Sequence, residues 1–274
     1  MRQAVDDWLR DGLDGRSERT KTLYAGLMGS LKAQIGSRAL RSLSAGDVRW
    51  ALQQLAPRFS RRSLQITRNC LERAIRQAQA NDLVGRNVAA LVSLPTGREG
   101  RPSKSFTVEQ AQALLAASEG RRLHTYVTLS LLVGLRTEEA RALRWDHVVV
   151  WIAEPGEWRP ITAPQFANGW PDVAQFAIYV LRSERHGGDT KTGKSRRTLA
   201  LPKRCVDALR GQWLQQAYDR TRAGELWEDH GLVFASRIGT ALSANNVIRA
   251  FRIITRVAGL GEDWVPREMR HTFV

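Results

Sequence analysis

Leu23, Leu27 and Leu31 recur at four-residue steps, a spacing that stacks them on one face of a helix. Read in the same way, the first hundred residues predict a string of short amphipathic helices separated by polar turns. One covers about 5–13. Ser44 and Asp47 have the spacing of a capping box and open a helix that carries Val48, Leu52 and Leu55. A longer helix over 60–80 turns Leu64, Leu71, Ile75 and Ala78 inward. The apolar period then lapses. Residues 93–105 read SLPTGREGRPSKS, which predicts a linker (98–105) between a first domain, 1–97, and a second, 106–274.

In the second domain Thr107 and Gln110 form another capping-box pattern, ahead of a helix with Leu114 and Leu115. The segment 123–133 is apolar on nearly every side and stops at Gly134, as the central helix of a larger core does. After Trp145 the pattern changes. Short β-branched or aromatic runs at 148–152, 176–181 and 198–201 predict a small antiparallel sheet. Between the first two runs, 153–172 holds Pro155, Pro160, Pro164 and Pro171 and reads as an irregular insertion. Helices resume at 203–223 and 243–258, and Pro266 stands at the first position of another. The expected fold is mainly α with a small antiparallel β-sheet (α+β), in two domains.

Charge narrows the class of partner. The 274 residues carry 42 Lys+Arg against 27 Asp+Glu, a formal charge of +15, so the surface attracts polyanions. Six of the 42 cations are lysines (Lys21, Lys32, Lys104, Lys191, Lys194, Lys203), leaving 36 arginines, whose planar forks suit bidentate phosphate contacts. From Arg16 to Pro102 there are 16 cations and 5 acids, a net of +11, which concentrates the charge on the helical first domain. Double-stranded DNA is the expected partner; the aromatic-rich strand of a ribonucleoprotein fold is absent, which disfavours RNA. Cys70 and Cys205 are far apart and have no zinc-ligand spacing, so neither a metal site nor a disulfide framework is expected. No run approaches the roughly 18 apolar residues of a membrane span, and the expected location is a reducing cytoplasm.

Three segments share a chemical theme: GLRTEEARALRW over 134–145, KTGKSRRTLALP over 191–202 and PREMRHTFV over 266–274. Alone, each is ordinary: a helix end followed by a solvated arginine, a hairpin turn, a surface Arg-His pair. Their order, spacing and flanks together resemble the tyrosine recombinase, or phage integrase, family. The first segment is similar to the family's first box, which implies Arg136 as a catalytic arginine and Glu139 as its supporting carboxylate. The second resembles the β-hairpin that delivers the catalytic lysine, implying Lys191. The third resembles the second box, implying Arg270 as the other catalytic arginine and His271 as its neighbour. SAGDV at 44–48 and the run ending at Pro95 are similar to the family's helical core-binding domain, so the resemblance reaches back to about Val5.

The resemblance implies site-specific recombination of a mobile genetic element: DNA broken and rejoined through a 3′-phosphotyrosyl intermediate. No cofactor and no metal are implied, and a homo-oligomer on an attachment or core site, a tetramer in the family, is expected. Two departures stand out. Arg267 occupies the place where the family usually has histidine, so it can bind phosphate but cannot act as a general base. Family members carry their nucleophilic tyrosine beyond the second box, whereas Tyr24, Tyr126, Tyr179 and Tyr218 all precede it. The expectation is a chain without its nucleophile that cannot cleave alone, or alternatively an inactive DNA-binding protein or gene fragment.

Overall fold

A computed structural model describes residues 1–100, 102–162, 175–181 and 196–272. Contacts divide the chain into two compact units, Met1–Pro102 and Ser103–Val274.

The first unit is helical: α1 (Arg2–Asp11), α2 (Glu18–Ile35), α3 (Ala45–Leu55) and α4 (Arg61–Ala80). Each of the last three starts at a serine whose hydroxyl accepts a backbone N–H from the first turn: Ser17, Ser44 and Ser60. At α3 the capping box is complete, with Asp47 N–H on Ser44 Oγ at 3.1 Å and Ser44 N–H on Asp47 Oδ2 at 3.0 Å. Leu64, Leu71, Ile75 and Ala78 of α4 are buried as the pattern predicts, and the first three share a core with Val48, Leu52 and Leu55 of α3 and Met28, Leu31 and Ile35 of α2. The leucine row of α2 departs from expectation. Leu27 and Leu31 are buried, but Leu23 is 49% exposed. Each four-residue step turns a helix about 40° past a full turn. Two steps carry Leu23 off the stripe that Tyr24, Met28, Leu31 and Ile35 follow.

The second unit is mainly helical, with one small sheet. Its helices are α5 (Val108–Ser118), α6 (His124–Leu132), α7 (Thr137–Arg141), α8 (Lys203–Ala223), α9 (Ala244–Val257) and α10 (Arg267–Thr272). Thr107 and Gln110 close the capping box of α5. Residues Thr125–Leu131 of α6 are all buried, so the helix runs through the core rather than over it. The strands are β1 (Val148–Ile152), β2 (Glu157–Pro160), β3 (Phe176–Val180) and β4 (Arg197–Ala200), antiparallel in the order β2-β1-β3-β4. Val148 faces Ile178, and Val180 faces Arg197.

The segment expected to be an irregular insertion is corrected in part: Glu157–Pro160 pairs with β1 as an edge strand, and Trp158 packs edge-on to Trp151 at 5.4 Å. Its residues are exposed or half-buried on both faces, so it has no apolar alternation to read. Residues 163–172 of that segment lie outside the described residues. Both cysteines are free and buried, and burial pushes each thiol up to about 12, well out of the reactive range. Among the described residues no helix is long and apolar enough to cross a membrane.

Candidate active site

Gly134 ends α6 with φ +65°, a left-handed conformation open to glycine at little cost. That turn sends Leu135 into the core at 2% exposure and sets Arg136 as the residue that starts α7. Glu139, at the third position of α7, is 4% exposed. Its Oε2 accepts the Arg136 backbone N–H at 3.0 Å, and its Oε1 accepts Arg136 Nη1 at 2.5 Å. The arginine-to-acid spacing in the first segment is therefore a helix cap and an ion pair at once.

A residue that the sequence reading missed completes this carboxylate's shell. Arg197, the first residue of β4, donates Nη1 to Glu139 Oε1 at 3.0 Å and Nη2 to Oε2 at 2.8 Å. Burial raises the Glu139 carboxyl, but the hydrogen bonds from Arg197 and from the backbone and side chain of Arg136 outweigh it and hold the group at about 2. A strand signal could have found Arg197. Burial alternates along β4, with Arg197 and Leu199 half-buried and their neighbours exposed, so an inward leucine marks the arginine two places before it.

Arg270 comes to the same cluster from α10. Its guanidinium is held below its usual range, first by desolvation and then by the like charges of Arg136 and Arg197, with Glu139 opposing. Arg270 Nη1 is buried and has no hydrogen-bond partner among the described residues. A charged donor in that state carries a standing hydrogen-bond deficit, which an anion entering the cluster removes.

Helix α10 owes its place to Glu268, also missed, which is 0% exposed. Its Oε2 accepts Val265 N–H at 2.9 Å and its Oε1 accepts Lys104 N–H at 3.4 Å. Thr272 Oγ1 accepts Phe106 N–H at 2.9 Å, and Phe106 stacks on Trp264 at 3.9 Å. We expect Glu268→Ala to cost the second unit about 2 kcal/mol, because it strands a part-buried backbone donor. Urea unfolding checks this; unchanged stability would deny Glu268 that anchoring role.

The structure thus brings together Arg136, Glu139 and Arg270 of the sequence-predicted residues and adds Arg197. Arg267 and His271 are exposed on α10, spaced with Arg270 at positions that share a helical face. Lys191 lies outside the described residues. The tyrosines are placed elsewhere. Tyr126 is fully buried in α6 with its hydroxyl donating to Thr137 O, and burial raises its pKa. Tyr24 stacks on Trp8, Tyr179 is half-buried in β3, and Tyr218 is exposed on α8 beside Arg222. Among the described residues no group of His, Cys, Asp and Glu could hold a metal ion.

Residues 104–274 match the phage integrase family. A Streptomyces ambofaciens protein described as an integrase is 49% identical over 278 residues, covering 99% of this chain and 67% of the relative. The tyrosine recombinase XerC of Chlamydia trachomatis serovar L2 is 24% identical, covering 81% of this chain and 60% of that protein. The chain thus spans between 60% and 67% of the lengths of these relatives. Among solved structures, a Tn1549 transposon integrase in complex with transposon right end DNA matches with a TM-score of 0.72 at 17% identity. A lambda integrase dimer bound to a core site matches with a TM-score of 0.67 at 15% identity. These two matches cover 99% of this chain and 84% of each neighbour.

Proposed function

Because the chain belongs to the phage integrase family of tyrosine recombinases, we propose that its arginine cluster grips a DNA phosphodiester during site-specific strand exchange. The observation that carries this reading is the buried, unpartnered Nη1 of Arg270 beside Arg136 and Arg197. Among the described residues three guanidiniums meet one carboxylate here, so the cluster favours an anion such as a phosphate. Attack on a phosphodiester builds further negative charge on its non-bridging oxygens, so preorganised arginine forks stabilise the transition state more than the ground state.

In this scheme Arg136 and Arg270 are the clamp, and Glu139 orients Arg136. Lys191 serves as the acid that protonates the leaving 5′-oxygen. Arg267 and His271 contact phosphate from the exposed face of α10; Arg267, permanently charged, takes no part as a base. A 3′-phosphotyrosyl linkage conserves the energy of the broken bond, so the scheme needs neither ATP nor metal.

Residues 1–97 form the core-binding domain and 98–105 the linker to the catalytic domain at 106–274. The cations of the first unit supply most of the affinity for duplex DNA through counterion release. Assembly is a homotetramer on DNA, in a bacterial or phage-encoded setting. Tyr24, Tyr126, Tyr179 and Tyr218 lie on α2, α6, β3 and α8, none of which is an element that carries the arginine cluster. The 274-residue polypeptide is therefore expected to bind DNA without cleaving it, which is also how an inactive DNA-binding relative behaves.

Two measurements test this reading. Anisotropy titrations of labelled duplex DNA across a salt series should give a steep linear fall of log affinity with log salt. Incubation with nicked duplexes followed by denaturing electrophoresis should give no protein–DNA adduct. Absence of binding at low salt defeats the DNA-binding reading, and an adduct mapped to one of the four tyrosines defeats the claim that none is the nucleophile.

A further inference from the structure

Glu139 is 3% exposed at its side chain and accepts four hydrogen bonds: Arg136 N–H, Arg136 Nη1, Arg197 Nη1 and Arg197 Nη2. Four acceptor sites are what a carboxylate has, so the group is saturated. The two arginines use it differently. Arg197 spends both terminal nitrogens in a parallel, bidentate pair, with a side chain 27% exposed. Arg136 lends only Nη1 to Glu139, and its side chain is 43% exposed.

We propose that Arg197 is a positioning residue of the phosphate clamp: by locking Glu139 bidentately from β4, it holds the Arg136 guanidinium in one orientation before DNA arrives. The inference rests on the reading of Arg136 as a phosphate-gripping residue. A long side chain paired with one movable carboxylate retains much of its rotamer freedom, and ordering it on binding costs affinity. Arg197 removes that freedom in advance. Its own backbone is fixed by pairing with Val180 in the sheet, so the lock is anchored to the core rather than to another loop.

Arg197 also sets the charge of the cluster. Without it, the cluster of described side chains loses one of its three guanidiniums. A purely structural role, tying the sheet to α7, predicts a loss of stability but no dependence on Arg136. Positioning through Arg136 predicts that the effect on DNA disappears when Arg136 is already gone.

The test is a double-mutant cycle with the full 274-residue chain, read as affinity for a labelled duplex of about 30 base pairs at fixed salt, with thermal unfolding in parallel. Arg136→Ala is expected to weaken binding about tenfold, the effect of removing one charge-assisted fork. Arg197→Met should cost about five- to tenfold in the native background and less than twofold in the Arg136→Ala background, the non-additivity of residues acting as one unit. Arg197→Lys keeps the charge but cannot form two parallel bonds, and should recover affinity only partly. This second variant carries the test if Arg197→Met does not fold. Full additivity of Arg197→Met with Arg136→Ala, or unchanged affinity in both Arg197 variants, overturns the proposal. If Arg136→Ala itself leaves affinity unchanged, the clamp reading fails instead.

Discussion

Replacing Arg270 with methionine is expected to weaken duplex DNA binding by about tenfold or more while raising the melting temperature of the second unit. The two effects have one cause. Arg270 keeps a buried Nη1 without a partner and sits among the like charges of Arg136 and Arg197. Its folded-state pKa lies below its ordinary value, so folding disfavours the charged form. The sign follows: the group costs stability at every pH below its folded pKa, which covers the whole working range. Methionine fills a similar aliphatic path and removes the cost. A gain of about 1 kcal/mol corresponds to about 2–4 °C for a unit of this size. DNA loses one of the two forks that define the clamp. Calorimetry and anisotropy titration measure the two halves separately. A lower melting temperature with unchanged affinity would recast Arg270 as a structural cation.

Such a stability cost at a functional position fits the parts of the molecule that were legible in sequence and those that were not. Caps were legible because they are local: Ser44 with Asp47 and Thr107 with Gln110 each satisfy backbone donors within one turn. Core strands were legible because burial leaves an apolar run, as in Val148–Ile152. The edge strand Glu157–Pro160 was hidden, since its pairing is made by backbone and neither face is fully buried. Leu23 was misread by a four-residue rule that drifts from the true helical period.

At the site, the motif resemblance named Arg136, Glu139 and Arg270, and their meeting in space follows from folding that no local spacing encodes. Arg197 and Glu268 show the limit more sharply. An arginine after a cationic turn and an acid in a first helical turn both look like solvated charges. Their partners, Glu139 at a separation of 58 residues and the Lys104 backbone at 164, decide otherwise. Burial of a charge is a three-dimensional property, and the same residue type serves surface and core alike.

Glu139→Gln isolates the counterpart of Arg270, a charge that the fold stabilises. In the native chain this carboxyl is held at about 2 against an ordinary 4.5. A depressed acid contributes stability that is fully present above its unfolded pKa and is lost as pH falls through its folded pKa. The contribution therefore stands whole above about pH 4.5 and fades between there and about pH 2. Glutamine can accept some of the same hydrogen bonds but supplies no charge, and removes the carboxylate that Arg136 and Arg197 share and that favours the charged form of Arg270. The expected loss at pH 7 is about 3 kcal/mol, the scale of breaking a buried ion pair by removing one partner. Urea unfolding at pH 7 and pH 3.5, followed by the tryptophans of the second unit, gives the difference between native chain and variant at each pH. That difference should shrink at the lower pH, because the native carboxylate begins to lose its advantage there. Equal differences at both pH values would show that the carboxylate's charge is not what holds the three arginines together.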